Sequence, residues 1–104
     1  MTINTKLAQA LEQLEAEMRQ CEVWQSTPPS LEAMQSVEPF SIDTLDPHEW
    51  LQWVFIPTMQ KLLDEGQAIP RGFELSPYFE EVWKHQDQFQ AVLLVVNHID
   101  RVCQ

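Results

Sequence analysis

Apolar residues recur at Ile3, Leu7, Leu11, Leu14, Met18 and Cys21. Successive spacings of three and four residues put them on one stripe of an α-helix. The opposite face carries Gln9, Glu12, Gln13 and Gln20, and Glu15 stands four residues before Arg19 in the favourable order for an ion pair. The stripe runs out near Val23-Trp24. Ser26-Thr27-Pro28-Pro29 ends the helix, because a residue before proline is pushed out of the helical region. Ser30 is then placed to cap one or two turns over Leu31 to Ser36, until Glu38-Pro39 interrupts again.

Residues 37–46 have no sustained period, yet Phe40, Ile42 and Leu45 are too apolar for a solvated linker. An extended segment pressed on the core is expected. Asp46-Pro47-His48-Glu49 reads as a helix start, with Asp46 as N-cap, Pro47 in the first helical position and Glu49 placed to reach back. A helix over about 47–65 follows, and Gly66 suits the left-handed residue that closes it. Pro57 removes a backbone donor and crowds the carbonyl four residues back, so a kink near Trp53 is expected. Gln67 to Leu75, with Pro70 and Gly72, reads as a loop whose Ile69, Phe73 and Leu75 return to the core. Ser76-Pro77 repeats the cap-plus-proline start of a helix through Tyr78, Phe79, Val82 and Trp83. Asp87 suits a new N-cap and favours a break before the last helix, in which Phe89, Val92, Leu93, Val96 and Ile99 keep the three-four spacing.

The chain has two glycines and no Asn-Gly or Asp-Gly dipeptide, which argues against hairpins. The expected fold is all-α, a single domain over residues 1–104, a bundle or array of four to five helices without internal repeats.

Composition mainly excludes. Six Lys and Arg against 16 Asp and Glu leave a formal charge of −10. That disfavours direct nucleic-acid binding, which rests on clustered cations, and attachment to anionic membranes. Leu, Ile, Val and Phe make 29 of 104 residues, above the roughly 20% below which highly charged chains stay unfolded. Cys21 and Cys103 show no zinc-type spacing, and the first residues lack a basic stretch followed by an apolar one. The longest charge-free stretches, Trp50–Gln60 and Gln88–Ile99, fall short of the ~20 residues of a membrane span. A cytoplasmic protein with reduced thiols is expected.

His48, His85 and His98 match no metal-ligand pattern, and the pair Glu81 and His85, four apart, lacks a third ligand and reads better as a solvated helix face. There is no glycine-rich phosphate loop, no nucleophile elbow and no Cys–His motif. No catalytic residue, metal or cofactor is therefore assigned, and a non-catalytic protein is expected. The aromatic residues offer more. Trp50 and Trp53 lie three apart on one helical face, with Phe40 upstream and Phe73, Tyr78 and Phe79 downstream. They can line a ligand pocket or a partner groove; the plainer reading, which we prefer, is the core of a small domain that must bury every large side chain it has. Arg71, between Pro70 and Gly72, is one of only six cations and suits a carboxylate or phosphate. Phe40, Trp50, Trp53, Arg71, Phe73 and Tyr78 form the candidate binding patch.

The stretch Glu38-Pro39-Phe40 through Asp43-Thr44, Glu49-Trp50-Leu51-Gln52-Trp53-Val54 and Ile56-Pro57 resembles the YqcC-like family of small bacterial proteins. Leu62-Leu63-Asp64, Ile69-Pro70 and Ser76-Pro77-Tyr78-Phe79-Glu80 continue the likeness, and the N-terminal amphipathic helix ending at Trp24 fits the same layout. The resemblance implies an all-helical fold and a family of unknown function, labelled by association with tRNA pseudouridine synthase C, whose gene is commonly its neighbour. It supplies no catalytic residues, and pseudouridine synthases themselves use a catalytic Asp in a much larger mixed α/β domain. The expected role is an accessory or interaction protein with a protein partner, such as a basic RNA-modifying enzyme, or a second copy of the chain. The alternative is a small-molecule or peptide-binding module built on the aromatic residues.

Overall fold

The computed structural model describes residues 2–104. Helix α1 spans Ile3–Gln20, with the Thr2 hydroxyl accepting the Thr5 N–H at its start. Its stripe of Leu7, Leu11, Leu14 and Met18 is buried. Its end is closed by Glu22 in the left-handed region at φ 65°, which lets the Val23 N–H reach the Met18 carbonyl and the Glu22 N–H reach that of Arg19. Helix α2, Leu31–Met34, is a single turn capped by Ser30, whose hydroxyl accepts the Ala33 N–H.

Residues 37–46 depart from the expected extended segment. They fold into a tight turn around a 3-10 piece, Pro39–Ser41, in which Phe40 and Ser41 both take positive φ, 57° and 49°. The turn is tied locally: Ser36 donates to Asp43, Thr44 donates to the Ala33 carbonyl at 2.6 Å, and the Leu45 N–H reaches the Ser41 carbonyl at 2.8 Å. Leu45 is buried and Phe40 half-buried, but Ile42 is 61% exposed, so only part of the segment presses on the core.

The long helix starts at α3, Pro47–Trp50, where the Glu49 carboxylate accepts the Asp46 N–H at 2.8 Å. It passes through a π-turn, Leu51–Phe55, into α4, Ile56–Asp64. The π-turn is the physical form of the expected irregularity. Pro57 lacks the N–H that an α-turn would use, and the Ile56 N–H bonds instead to Leu51, five residues back. Gly66, at φ 66°, closes α4, with the Gln67 N–H on the Leu62 carbonyl.

Helix α5 spans Ser76–Val82 and α6 Gln90–Val102, separated by a break and a 3-10 turn, Asp87–Phe89. Neither expected cap sits as the sequence suggests. Gln86, not Asp87, flanks the 3-10 turn, and Leu75, not Ser76, flanks α5. The α5 end is capped from outside: Asp100 on α6 accepts the N–H groups of Leu75 and Ser76 and the Ser76 hydroxyl, at 2.6 to 3.0 Å. The break between α5 and α6 is filled by Trp83 stacked on Phe89, rings 4.1 Å apart.

Counting α3, the π-turn and α4 as one bent helix, the described residues form five helices and no strand. Helices α1 and α6 share the main core face, with Val92, Val96 and Ile99 of α6 joining the α1 stripe, and Leu51, Phe55, Met59 and Phe79 extend the cluster. Among the described residues no helix is long and apolar enough to cross a membrane.

Candidate functional site

The bent helix, the 37–46 turn and the loop after Gly66 enclose an apolar groove of about 340 Å³. Its floor is the buried Phe55, Met59 and Leu75, and its walls are Phe40, Trp50, Val54 and Phe73. The polar groups at its edge are Thr58 and the exposed carboxylate of Glu74. Trp50, Val54 and Thr58 recur every four residues, a signal that was readable in the sequence but was overshadowed there by the aromatic residues.

Phe40 organises this wall. Its ring stacks on Tyr78 at 4.3 Å and meets Trp50 edge-on at 4.9 Å, and Trp50 continues the array to Phe55 at 5.6 Å. Phe73 closes the far side against Phe55. A phenylalanine in the left-handed region is strained, because its Cβ crowds the backbone. The hydrogen bonds of the turn and the ring contacts hold it there. Burial raises the Tyr78 phenol above its usual range, and the nearby Asp46 carboxylate adds to the effect.

Trp50 and Trp53 do not share a face of the site. The π-turn widens the helix between them, and Trp53 turns to the segment after α1, where its indole N–H donates to the Gln25 side-chain oxygen at 2.8 Å. Gln25 is a junction. Its backbone N–H and carbonyl pair with the amide of the buried Gln52 at 2.8 and 2.7 Å, and its own amide donates to Glu49 at 3.1 Å. Trp53 is thus a structural clasp.

Arg71 also stands apart from the aromatic groove. Its Nε donates to the Gln104 backbone oxygen at 3.2 Å, beside the contact of the Gly72 N–H with the Cys103 carbonyl at 2.7 Å. There it lines a second concavity with Ile3, Lys6, Gln9, His98, Arg101 and Val102. Of the candidate patch, then, Phe40, Trp50, Phe73 and Tyr78 come together, and Trp53 and Arg71 lie elsewhere.

Glu81 pairs with Lys84 at 2.9 Å, and that bond holds its carboxyl below the usual range, with His85 adding a weaker pull. Among the described residues no group of three or more His, Cys, Asp or Glu is placed to hold a metal ion. Both cysteines are free, Cys103 buried and Cys21 half-buried, and burial raises both thiols above their usual range.

Fold and groove together define a small acidic all-helical protein with one aromatic recess on its surface. The chain belongs to the family DUF446, described as tRNA pseudouridine synthase C, whose model matches residues 6–102. An uncharacterized protein of Haemophilus influenzae is 53% identical over 85 residues, covering 82% of this chain and 80% of that protein. The uncharacterized protein YqcC of Escherichia coli K12 is 41% identical over 94 residues, covering 90% of this chain and 86% of that one. A protein named tRNA pseudouridine synthase C in Pectobacterium carotovorum is 43% identical over 84 residues, which are 81% of this chain but only 22% of that protein. The solution NMR structure of YqcC from E. coli superposes with a TM-score of 0.85 at 35% identity, covering 98% of this chain and 88% of that chain.

Proposed function

We propose that this protein is a non-catalytic accessory factor that docks on a tRNA pseudouridine synthase C. The observation that carries this reading is the Pectobacterium protein of that name, in which a sequence like this chain makes up 22% of a longer polypeptide. Two units joined in one chain in one organism are often partners as separate chains in another. Charge supports the reading. A net −10 suits a partner whose surface is basic enough to hold tRNA, and attraction of that kind speeds encounter. The groove supplies the short-range part: an apolar recess walled by Phe40, Trp50 and Phe73 with Glu74 at its edge takes an apolar side chain flanked by a cation. Leu31, Val37 and Ile42, each more than 60% exposed, add apolar surface on the segment leading to Phe40 and the turn around it.

The test is binding between the purified chain and purified synthase C of the same organism. Calorimetry at about 50 mM salt should give a complex that weakens at about 500 mM as charges are screened. Phe40→Ala with Trp50→Ala should reduce the affinity by about tenfold or more, as hot-spot aromatics do. No complex at low salt overturns the reading. A second reading follows from the size of the groove, which falls in the roughly 300–1,000 Å³ range of ligand sites: a small-molecule or peptide binder. A ligand screen read by melting temperature, in which a hit loses its effect in Trp50→Ala, distinguishes the two.

A further inference from the structure

Only six Lys and Arg occur in this chain, and they are not scattered evenly. Arg19 is held by Glu15 at 2.8 Å and lies over the Trp24 ring, and Lys84 is held by Glu81. Of the other four, three line one concavity: Lys6 from α1, Arg71 from the loop before α5, and Arg101 from α6. Among the described residues no Asp or Glu side chain lies within ion-pair distance of any of the three. The remaining lining is the His98 imidazole, the Gln9 amide and the apolar Ile3 and Val102, and no Asp or Glu takes part. In a chain with 16 Asp and Glu, a recess that none of them lines and where three separate segments bring cations together is a distinct electrostatic feature. Asp100, next to Arg101 in sequence, is turned away to cap α5.

We propose that this recess binds a compact phosphate-bearing ligand. Three cations approaching from three elements fit a doubly charged, tetrahedral oxyanion better than a planar carboxylate, which one Arg fork satisfies. Arg71 is positioned for it by its Nε bond to the Gln104 backbone oxygen, which fixes the guanidinium while leaving its other N–H groups free to donate. Gln9 adds amide donors at the wall, and Ile3 and Val102 offer contact to an organic group carried by the phosphate. A polymer fits less well. Its flanking phosphates would run onto a surface whose net charge is −10, whereas a small ligand stays within the recess. The site is separate from the aromatic groove and does not depend on a synthase partner.

The test is titration of the full chain with inorganic phosphate, with a 5′-nucleoside monophosphate and with tRNA, followed by backbone amide NMR against sodium chloride of equal ionic strength. The amides of Lys6, Gly72 and Arg101 should move saturably with the two small phosphates, and those of Trp50 and Val54 should not. Lys6→Gln, Arg71→Gln and Arg101→Gln should each weaken binding about three- to tenfold, the scale of a partly exposed charge-assisted contact. Arg19→Gln should leave it unchanged. A monophosphate that binds more tightly than inorganic phosphate marks an organic ligand held also by Ile3 and Val102, and equal affinity marks the free anion. The proposal is overturned if chloride reproduces the shifts, if the three variants bind as well as the parent, or if tRNA alone binds.

Discussion

The carboxylate of Asp100 on α6 caps the first turn of α5, taking the Ser76 hydroxyl at 2.6 Å and the Ser76 N–H at 2.8 Å. Both oxygens also accept the Leu75 N–H. The first amides of a helix have no partner within it, so a half-buried end without a cap carries a desolvation cost. Asp100→Ala should destabilise the chain by about 2 kcal/mol, and Asp100→Asn, which keeps one acceptor, by about half as much. Urea denaturation measures both, and a change under about 0.5 kcal/mol in the alanine variant would show that water replaces the cap at no cost.

Gln52 and Gln25 form a comparable tie without charge. The buried Gln52 amide makes two bonds to the Gln25 backbone, as a neighbouring strand would, and so fastens the segment after α1 to the bent helix. Gln52→Leu keeps the bulk but strands a backbone N–H and carbonyl. A loss of about 2–4 kcal/mol is expected. Hydrogen exchange at the Gln25 amide should speed up in this variant even where global unfolding is not rate-determining, and an unchanged rate contradicts the role given to the pair.

Both ties join residues 24 or more positions apart, and neither was legible in the sequence. Periodicity shows which face of a helix is apolar, and it placed α1, the bent helix and α6. Local chemistry also showed through where the partner is a neighbour: Ser30 caps α2, Glu49 reaches back to Asp46, and Gly66 closes α4. Ser76 failed as a cap because the helix begins one residue earlier, with the Phe79 N–H on the Leu75 carbonyl, and its hydroxyl is turned to donate to a carboxylate on another helix. The 37–46 turn failed because two left-handed residues, Phe40 and Ser41, carry none of the glycine or asparagine that announces such a turn. At the site, the expected patch named six residues, of which Phe40, Trp50, Phe73 and Tyr78 meet, whereas the π-turn sends Trp53 to Gln25 and the loop before α5 carries Arg71 to Gln104. The gathering of Lys6, His98 and Arg101 around Arg71 has no sequence signature, since it depends on how α1 meets α6.

Glu22 closes α1 at φ 65°, a conformation in which its Cβ crowds the backbone. Glycine carries no such penalty, though it gains entropy in the unfolded chain. The net of the two for Glu22→Gly is a gain of about 0.5–1 kcal/mol, or a few degrees in melting temperature. A variant less stable than the parent would mean that the Glu22 side chain contributes more than its strain costs.

The buried thiol of Cys103 gives a pH dependence of known sign. Its proton is held more tightly in the native state than in the unfolded one, because burial and then the Asp100 charge disfavour the thiolate, with Arg71 opposing. Stability is therefore complete below the usual thiol range and falls as pH climbs above about 8.5, where unfolded thiols ionise. Tyr78 adds a second decline at higher pH for the same reason. Denaturation midpoints measured between about pH 7 and 10.5 should fall, and less steeply in Cys103→Ala. Equal slopes for the two proteins would remove Cys103 as the source.

Phe40 is the point where strain and contact oppose each other. Its ring touches Tyr78, Trp50 and Phe79, and its backbone sits at φ 57°. Phe40→Ala and Phe40→Gly lose the same ring, a cost of about 2–4 kcal/mol for a half-buried aromatic. Glycine ordinarily destabilises relative to alanine by about 0.5–1 kcal/mol. Here the left-handed backbone reverses the order, so Phe40→Gly should be as stable as Phe40→Ala or more so. Urea midpoints of the two variants decide it. A glycine variant about 1 kcal/mol below the alanine variant would mean that the turn carries no strain and that the ring contacts alone position this wall of the groove.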